Sequence, residues 1–299
     1  MKRLLYFIFS LFLIMLFLCY PAKCISYGEN GLLLWFHRML PTLFPFMVIT
    51  GVLIRLNLTA FFPSANTYVT AVGFLCGFPL GAYTAAAMYQ EGQISRKEAQ
   101  YLISYTNNLG PVFFLSYILP SYHISNKMPF LIGMYGIPLL YGFLLRHTIY
   151  KDCTFSKLPK GQSCPLAAAI DASVSNSITA ITKLGGYMIL MQTLYILPEL
   201  FMQFLEKHLF LSPQMQQLIP SFLCCLLEIT GGVSSMTVYS PLWVFLLLPI
   251  GGISCILQTG SIISQTDLSL APYLVHKLLQ TILSAFYYVA LIALGFLPV

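Results

Sequence analysis

The chain has 299 residues, of which 58% are hydrophobic and only 8% are charged, and aromatic residues make up 15%. Soluble domains carry roughly 25% charged residues, so this chain lacks the polar surface of a water-soluble globule. The composition therefore predicts a polytopic membrane protein. The net charge of +6 does not indicate a nucleic-acid partner, because the positive residues are scattered between apolar runs and are not clustered.

The first segment, residues 4–20, is an unbroken apolar run that follows Lys2 and Arg3. Two interpretations are open, a cleaved signal peptide and a retained first span. The run is longer than the usual signal core of about 7–15 residues, and Pro21 to Cys24 offers no small-x-small cleavage site. We therefore expect residues 1–30 to form a retained transmembrane anchor with a cytoplasmic N-terminus.

Apolar segments of span length recur along the rest of the chain. Each is near the roughly 20 residues that a helix needs to cross the hydrocarbon core of a bilayer. These predicted spans lie at residues 31–56, 97–119, 129–145, 172–197, 241–263 and 272–297.

Residues 66–90 are apolar enough to cross a membrane, but Gly77, Pro79 and Gly81 interrupt their centre. Glycine and proline break helices, and each remaining half reaches about 16 Å, which is half of the bilayer core. We predict a re-entrant hairpin here, and one kinked spanning helix is the alternative. Residues 217–240 show a similar interruption, with Glu228, two glycines and three hydroxyl residues at their middle.

Positive residues support the hairpin layout. With a cytoplasmic N-terminus, and with each hairpin returning to its own side, seven basic residues lie inside and three outside, which obeys the positive-inside rule. The predicted inside residues are Arg55, Arg96, Lys97, Arg146, Lys151, Lys157 and Lys160, and the predicted outside residues are Lys23, Lys127 and Lys207.

The same layout predicts an inverted repeat, because span, hairpin, interrupted span and span recur at an offset of about 143–151 residues with opposite orientation. The first repeat covers residues 31–149, with a hairpin at 66–90 and an interrupted helix at 97–119. A basic cytoplasmic linker covers 150–164. The second repeat covers 165–299, with a hairpin at 217–240 and an interrupted helix at 241–263 whose break is expected within 251–260.

Broken helices at membrane depth occur where protein or a water-filled cavity surrounds them, so these breaks predict a substrate site near the membrane midplane. Pro111 frees the carbonyl of Asn107, and the half-helix starts present N–H groups and a positive dipole end to an anion. The predicted substrate-binding residues are Gly77, Pro79, Gly81, Thr84, Asn107, Asn108, Glu228, Thr230, Gly231, Ser234, Ser254 and Gln258.

Glu228 is the most informative single residue, because a carboxylate at a helix centre costs roughly 2.5–3.5 kcal/mol on insertion scales. We hypothesise that Glu228 and Asn107 face one cavity and bind substrate or a coupling proton. A structural, hydrogen-bonded Glu228 is the alternative. Arg38 is interpreted as snorkelling to an interface, Lys183 as a partner or a snorkelling residue, and Asp267 as a cap of the following helix.

Enzymatic motifs are missing from the sequence, so we do not expect an enzyme. The five histidines are dispersed, no metal site is predicted, and the eight cysteines are interpreted as buried or free thiols. No cofactor is expected. A coupling ion, H⁺ or Na⁺, and a homo-oligomer are left open.

Several ordered stretches, including Gly-Phe-Pro-Leu-Gly-Ala at 77–82 and Leu-Glu-Ile-Thr-Gly at 227–231, resemble the YlbJ-type sporulation integral membrane proteins of the nucleoside-recognition or Gate-domain group. The resemblance implies a fold similar to concentrative nucleoside transporters. It also implies passage of dipicolinic acid across the outer forespore membrane. Relatives often carry Tyr and Lys where this chain has Phe78 and Tyr83. The other resembling stretches are residues 31–36, 40–46, 94–100, 251–254 and 264–267.

Together these observations predict a multi-pass bacterial transporter of a small anionic solute in the lipid bilayer, with dipicolinate as the substrate that the resemblance implies. Half-helix N-termini would hold its carboxylates, and Phe78, Tyr83 and Tyr105 are candidates for contact with its ring. A nucleoside or nucleobase transporter is one alternative. A non-transporting membrane scaffold for sporulation proteins is the other.

Overall fold

A computed structural model describes residues 2–122, 124, 126–153, 164–236 and 241–296. These residues form helices and connecting turns, and no strand occurs among them, which confirms the predicted all-α class. The helices are α1 (Lys2–Cys19), α2 (Pro21–Leu34), α3 (Leu40–Arg55), α4 (Ala65–Cys76), α5 (Leu80–Gln90), α6 (Arg96–Thr106), α7 (Pro111–Phe113), α8 (Leu119–Ser121), α9 (Met128–Leu131), α10 (Ile137–His147), α11 (Leu166–Thr193), α12 (Ile196–His208), α13 (Pro213–Leu227), α14 (Ile229–Ser235), α15 (Pro241–Leu247), α16 (Gly252–Ile263) and α17 (Leu270–Ala293).

Five helical stretches in the described part of the chain are long and apolar enough to cross a membrane, which confirms a multi-pass membrane protein. Two further apolar helices, Arg3–Cys19 and Ala65–Cys76, are shorter. The five stretches are Pro21–Arg55, Met128–His147, Leu166–His208, Leu242–Ile263 and Leu270–Ala293.

Several predicted boundaries differ from the observed ones. The second helix begins at Pro21, ten residues before the predicted start at residue 31, because proline is favoured in the first turn of a helix. The helical stretch predicted at 172–197 instead begins at Leu166, turns at 194–195 and continues as α12. Most of the predicted 150–164 linker, residues 154–163, lies outside the described residues, as do residues 237–240 of the second hairpin.

Three wide π-helical turns share one sequence feature. They occupy Trp35–Met39, Phe114–Ile118 and Ile132–Gly136, and each ends two residues before a proline. A proline inside a helix lacks an N–H and clashes with the carbonyl four residues earlier. A π turn widens the helix at that point, so these helices continue past Pro41, Pro120 and Pro138.

The predicted helix breaks are present, with one correction. Residues 77–79 separate α4 from α5, residues 107–110 separate α6 from α7, and Glu228 alone separates α13 from α14. The break expected within 251–260 instead falls at 248–251. Gly251 and Gly252 adopt φ values of +72° and +77°, which set the start of α16, whereas an isolated Gly260 is tolerated inside that helix.

The first break is a site of close backbone packing. A Cβ placed on Gly73 or Gly81 would lie 2.3 or 2.6 Å from the carbonyl oxygen of Thr106, and one on Gly77 would lie 2.2 Å from the Gly110 nitrogen. Real Cβ contacts are not this short, so only glycine fits. These glycines let the α4–α5 pair contact the broken segment between α6 and α7 directly.

The end of the helix before the first hairpin and the end of the hairpin itself lie at one level of the fold. Arg55, at the end of α3, forms an ion pair with Glu91, at the end of α5, at 3.2 Å. A straight spanning helix would instead separate these residues by the thickness of a bilayer, roughly 30 Å. The geometry favours the predicted return of this segment. Its orientation in a membrane and the inverted repeat stay predictions.

A second ion pair lies near the same end. Arg96, at the start of α6, forms an ion pair with Asp267 at 3.0 Å and also donates to its backbone carbonyl. The expected capping role of Asp267 is wrong, because no side chain caps the N-terminus of α17. Asp267 instead ties the α16–α17 turn to the start of α6.

Packing around the breaks brings distant parts of the chain together. The long helix α11 packs against α2, α3 and α16, and α6 packs against α5, α10 and α17. Helix α5 also packs against α16. The broken segments of the two halves of the chain therefore lie next to one another.

Candidate functional site

Asn107 links the two halves of the chain at the first break. Its Oδ1 accepts from the backbone N–H of Ala82 at 3.4 Å, and its Nδ2 donates to Thr259 at 2.9 Å and to the Tyr273 hydroxyl at 3.1 Å. One of the N–H groups predicted to hold an anion at the start of α5 is thus occupied by this amide.

Glu228 caps the second half-helix from within its own chain segment. Its carboxylate accepts from the backbone N–H groups of Thr230 at 3.0 Å and Gly231 at 2.7 Å, and from the Gln192 amide at 3.0 Å. The Tyr195 hydroxyl donates to its backbone carbonyl at 2.7 Å. A carboxylate at the N-terminus of a helix satisfies unpaired donors and interacts favourably with the helix dipole. This geometry favours the structural alternative for Glu228.

The Lys277 side chain is a buried basic group that sequence reasoning missed. Lys277 lies in α17 and is 0% exposed. Its ammonium donates to the side-chain oxygens of Asn108 at 2.8 Å and Gln280 at 3.1 Å. A sequence signal was present, because Lys277 is the only charged residue in the apolar helix Leu270–Ala293, and an ionisable residue inside a span indicates function.

A cavity of about 180 Å³, here called cavity 1, lies between α3, α5, α11 and α16. Its charged lining residues are Arg55, Glu91 and Lys183. Lys183, interpreted from sequence as a partner or a snorkelling residue, is one of these lining groups. Polar lining residues include Asn176, Thr179, Gln258, Ser261 and Gln265.

A second cavity of about 120 Å³, here called cavity 2, lies towards the opposite end of α3. Arg38 is its charged lining residue among those described, and four aromatic rings contribute to the remaining wall. Phe113 and Tyr117 stack with ring centroids 4.9 Å apart. The aromatic residues of this wall are Phe46, Phe78, Phe113 and Tyr117.

Leu184 and Gln258 line both cavities. The Gln258 amide donates to the Ser254 hydroxyl at 2.9 Å, which fixes its orientation within α16. Along α3, cavity 2 contacts residues 39–46 whereas cavity 1 contacts residues 51–55. Cavity 2 therefore lies nearer the start of α3 and cavity 1 nearer its end, and Gln258 and Leu184 border both.

Apart from Ser234 and Thr84, the structure places the predicted site residues in three groups. Pro79, Thr230 and Gln258 line the cavities. Asn107, Asn108, Glu228 and Ser254 are buried in hydrogen-bonded contacts, and Gly77, Gly81 and Gly231 lie in close contact with neighbouring chain segments. Ser234 is exposed and pairs with the Tyr117 hydroxyl at 2.5 Å.

Thr84 differs from the other predicted residues. It is fully buried in α5, and among the described residues its hydroxyl has no hydrogen-bond partner. A buried, unsatisfied hydroxyl costs about 1–3 kcal/mol. Its neighbour Tyr83 lines cavity 1 and Phe78 lines cavity 2. Tyr105, the third ring candidate, lines neither and instead bonds to Thr70 and Asn66.

These features define a multi-pass α-helical membrane protein with two cavities beside a set of broken helices. The chain is 25% identical to the sporulation integral membrane protein YlbJ of Bacillus subtilis (strain 168), over 93% of this chain and 79% of that protein. No family model matches the chain, and no solved structure matches it significantly. The similarity confirms the resemblance to YlbJ-type sporulation membrane proteins and supports a role at a membrane during sporulation.

Proposed function

We propose that this protein is a transporter that moves a small anionic solute through the two cavities in turn. The observation that carries the proposal is the arrangement of cavity 1 and cavity 2 towards opposite ends of α3, with Gln258 and Leu184 lining both. A transporter that alternates access opens a central site to one side at a time. A scaffold has no need for such cavities beside buried, broken helices.

The charge of both cavities favours an anion. Cavity 1 contains two basic residues and one acidic residue, and the charged residue of cavity 2 is Arg38. Each described lining is thus net positive. A net positive charge in a cleft raises the local concentration of anions.

The size and walls of the cavities favour a small, planar solute. Volumes of about 180 and 120 Å³ are below the roughly 300–1,000 Å³ of pockets for drug-sized ligands. The aromatic wall of cavity 2 offers ring faces for stacking. Dipicolinate, a pyridine ring with two carboxylates, has this chemistry. It is also the solute implied by the resemblance to YlbJ-type proteins, and the outer forespore membrane is the corresponding location.

The test is uptake of labelled dipicolinate into liposomes that contain the purified protein, with uridine and adenosine as competitors. We expect uptake above that of empty liposomes and no competition by either nucleoside. Replacing Gln258 by Trp would fill the wall between the cavities and should reduce uptake at least tenfold. Lys207→Met, an exposed position at the end of α12, is the matched control and should behave as wild type.

The possible results separate the alternatives. Uptake of uridine that dipicolinate does not inhibit would instead support a nucleoside transporter. No uptake of either solute by well-folded protein would contradict transport of both kinds and leave the scaffold as the interpretation to pursue.

A further inference from the structure

Lys277 is a buried cation without a carboxylate partner in the described part of the chain. The ion pairs found there join Lys23 to Glu199, Arg55 to Glu91 and Arg96 to Asp267. None of them includes Lys277, whose ammonium contacts two neutral amide oxygens. Amide oxygens satisfy ammonium hydrogen bonds but provide no counter-charge.

The surrounding residues hold this ammonium in a fixed position. Asn108 and Gln280, its two acceptors, are 1% and 0% exposed. The Asn108 amide donates to the Tyr105 carbonyl at 2.7 Å, and the Gln280 amide donates to the Ser104 carbonyl at 2.6 Å. Because both amide nitrogens are held by backbone carbonyls, both amide oxygens face the Lys277 ammonium. Such a preorganised cation is costly to bury within a membrane helix, and this cost indicates a functional group.

The Phe78 ring contacts Lys277 and also lines cavity 2. The Lys277 ammonium lies 5.2 Å from the centroid of the Phe78 ring, in cation–π geometry. Phe78 itself lines cavity 2, as do Leu109 and Gly110, which follow Asn108 in the chain. Phe78 therefore connects the ammonium to the wall of this cavity.

We propose that Lys277 is the carboxylate-binding residue of the transport site and that Phe78 is the movable wall between it and cavity 2. The proposal deepens the proposed transport function and rests on it. The occupant is an aromatic carboxylate, whose negative group supplies the missing counter-charge while its ring packs against the aromatic wall. Asn108 and Gln280 position the ammonium.

The test measures how strongly binding depends on the charge of the ligand. Wild-type protein in lipid nanodiscs is titrated with pyridine-2,6-dicarboxylate, pyridine-2-carboxylate and the neutral pyridine-2,6-dicarboxamide. We expect wild type to prefer the dicarboxylate to the diamide by at least tenfold. Lys277→Met keeps an unbranched side chain, one atom shorter, without the charge. This substitution should abolish the preference and leave the affinity for the diamide within about twofold of the wild-type value.

A second pair of variants covers the case in which Lys277→Met does not fold. Gln280→Glu places a carboxylate beside the ammonium and should abolish the preference by supplying an internal counter-charge. Gln280→Met removes the same hydrogen bonds without adding charge and should retain most of the preference. Lys207→Met controls for a general loss of positive charge.

The outcomes for Lys277 and for transport are separable. A Lys277→Met protein that folds and keeps the wild-type preference would overturn the assignment of Lys277. So would equal loss in Gln280→Glu and Gln280→Met, or a wild type that binds diamide and dicarboxylate equally. Carboxylate-selective binding that depends on Lys277, without any uptake into liposomes, would support the binding residue and contradict the transport function.

Discussion

The starts of α5 and α14 both need acceptors for unpaired backbone N–H groups, and different residues supply them. At the first break, α5 receives an acceptor from Asn107, a residue of another segment, and the chain passes Thr106 and Gly110 so closely that only glycines fit. At the second break, Glu228 caps α14 from the residue immediately before it. The first break depends on its neighbours, whereas the second is largely self-contained.

This difference explains why two similar interruptions of an apolar segment have different structural roles. Three glycines around residues 73–81 mark a backbone-to-backbone contact, in which removal of side chains is the essential feature. The carboxylate at 228 marks a local cap, in which the side chain is the essential feature. Substitutions at the two breaks should therefore destabilise the protein for different reasons and to different degrees.

The largest effect is expected from Gly77→Ala. Gly77 has a φ of +87°, and its new Cβ would lie 2.2 Å from the Gly110 nitrogen, so strain and overpacking add to more than about 3 kcal/mol. We expect little folded protein, measured as monodisperse yield and thermal unfolding in detergent. Gly186→Ala is the control, because nothing lies within 4 Å of its Cβ. Similar stability of the two variants would contradict the close contact.

A smaller loss is expected from Glu228→Ala. It leaves the N–H groups of Thr230 and Gly231 without their acceptor, and losing a helix cap together with a buried hydrogen bond costs about 2 kcal/mol. Thermal unfolding in detergent measures this loss. Glu228→Gln keeps one acceptor oxygen and should cost about half as much. Equal stability of wild type and Glu228→Ala would contradict the capping role.

The same Glu228→Gln variant tests the sequence-based hypothesis that Glu228 carries a coupling proton. That hypothesis predicts that the pH dependence of uptake disappears, because an amide does not titrate. A cap without a proton-carrying role predicts an unchanged pH profile. Uptake measured across neutral pH in liposomes distinguishes the two results.

A fourth prediction concerns independence of the two breaks. Asn107→Ala removes the contacts to Thr259, Tyr273 and Ala82 and should cost about 1–2 kcal/mol. Asn107 and Glu228 share no hydrogen-bond partner. The double variant with Glu228→Ala should therefore lose the sum of both effects to within about 0.5 kcal/mol. A larger coupling energy would instead support the hypothesis that both residues face one cavity.

The final prediction involves no loss of stability. Single cysteines at positions 96 and 157 should be labelled from the cytoplasmic side, and cysteines at 127 and 207 from the opposite side, in a cysteine-free background. The Arg55–Glu91 contact is consistent with a first hairpin that returns to its own side. Labelling of 96 and 157 from different sides would exclude the hairpin layout.

The sequence by itself determined the membrane class, the approximate spans and three of the four helix breaks. These properties follow from local chemistry, because apolar length sets a span and glycine or proline interrupts hydrogen bonding within a few residues. The wrong prediction of a helix break within 251–260 also has a local cause. Two consecutive glycines with positive φ begin α16, and a single Gly260 does not interrupt it.

Only the tertiary structure decided which polar groups meet. The contact of Asn107 with Ala82 and Tyr273, and the placement of Lys277 between Asn108 and Phe78, join segments 25 to 199 residues apart in the sequence. Neither cavity follows from the spacing within one segment, because each forms between helices of both halves. Apolar length and helix-breaking residues specify whether a segment is a span or a broken helix, and side-chain packing specifies which segments become neighbours.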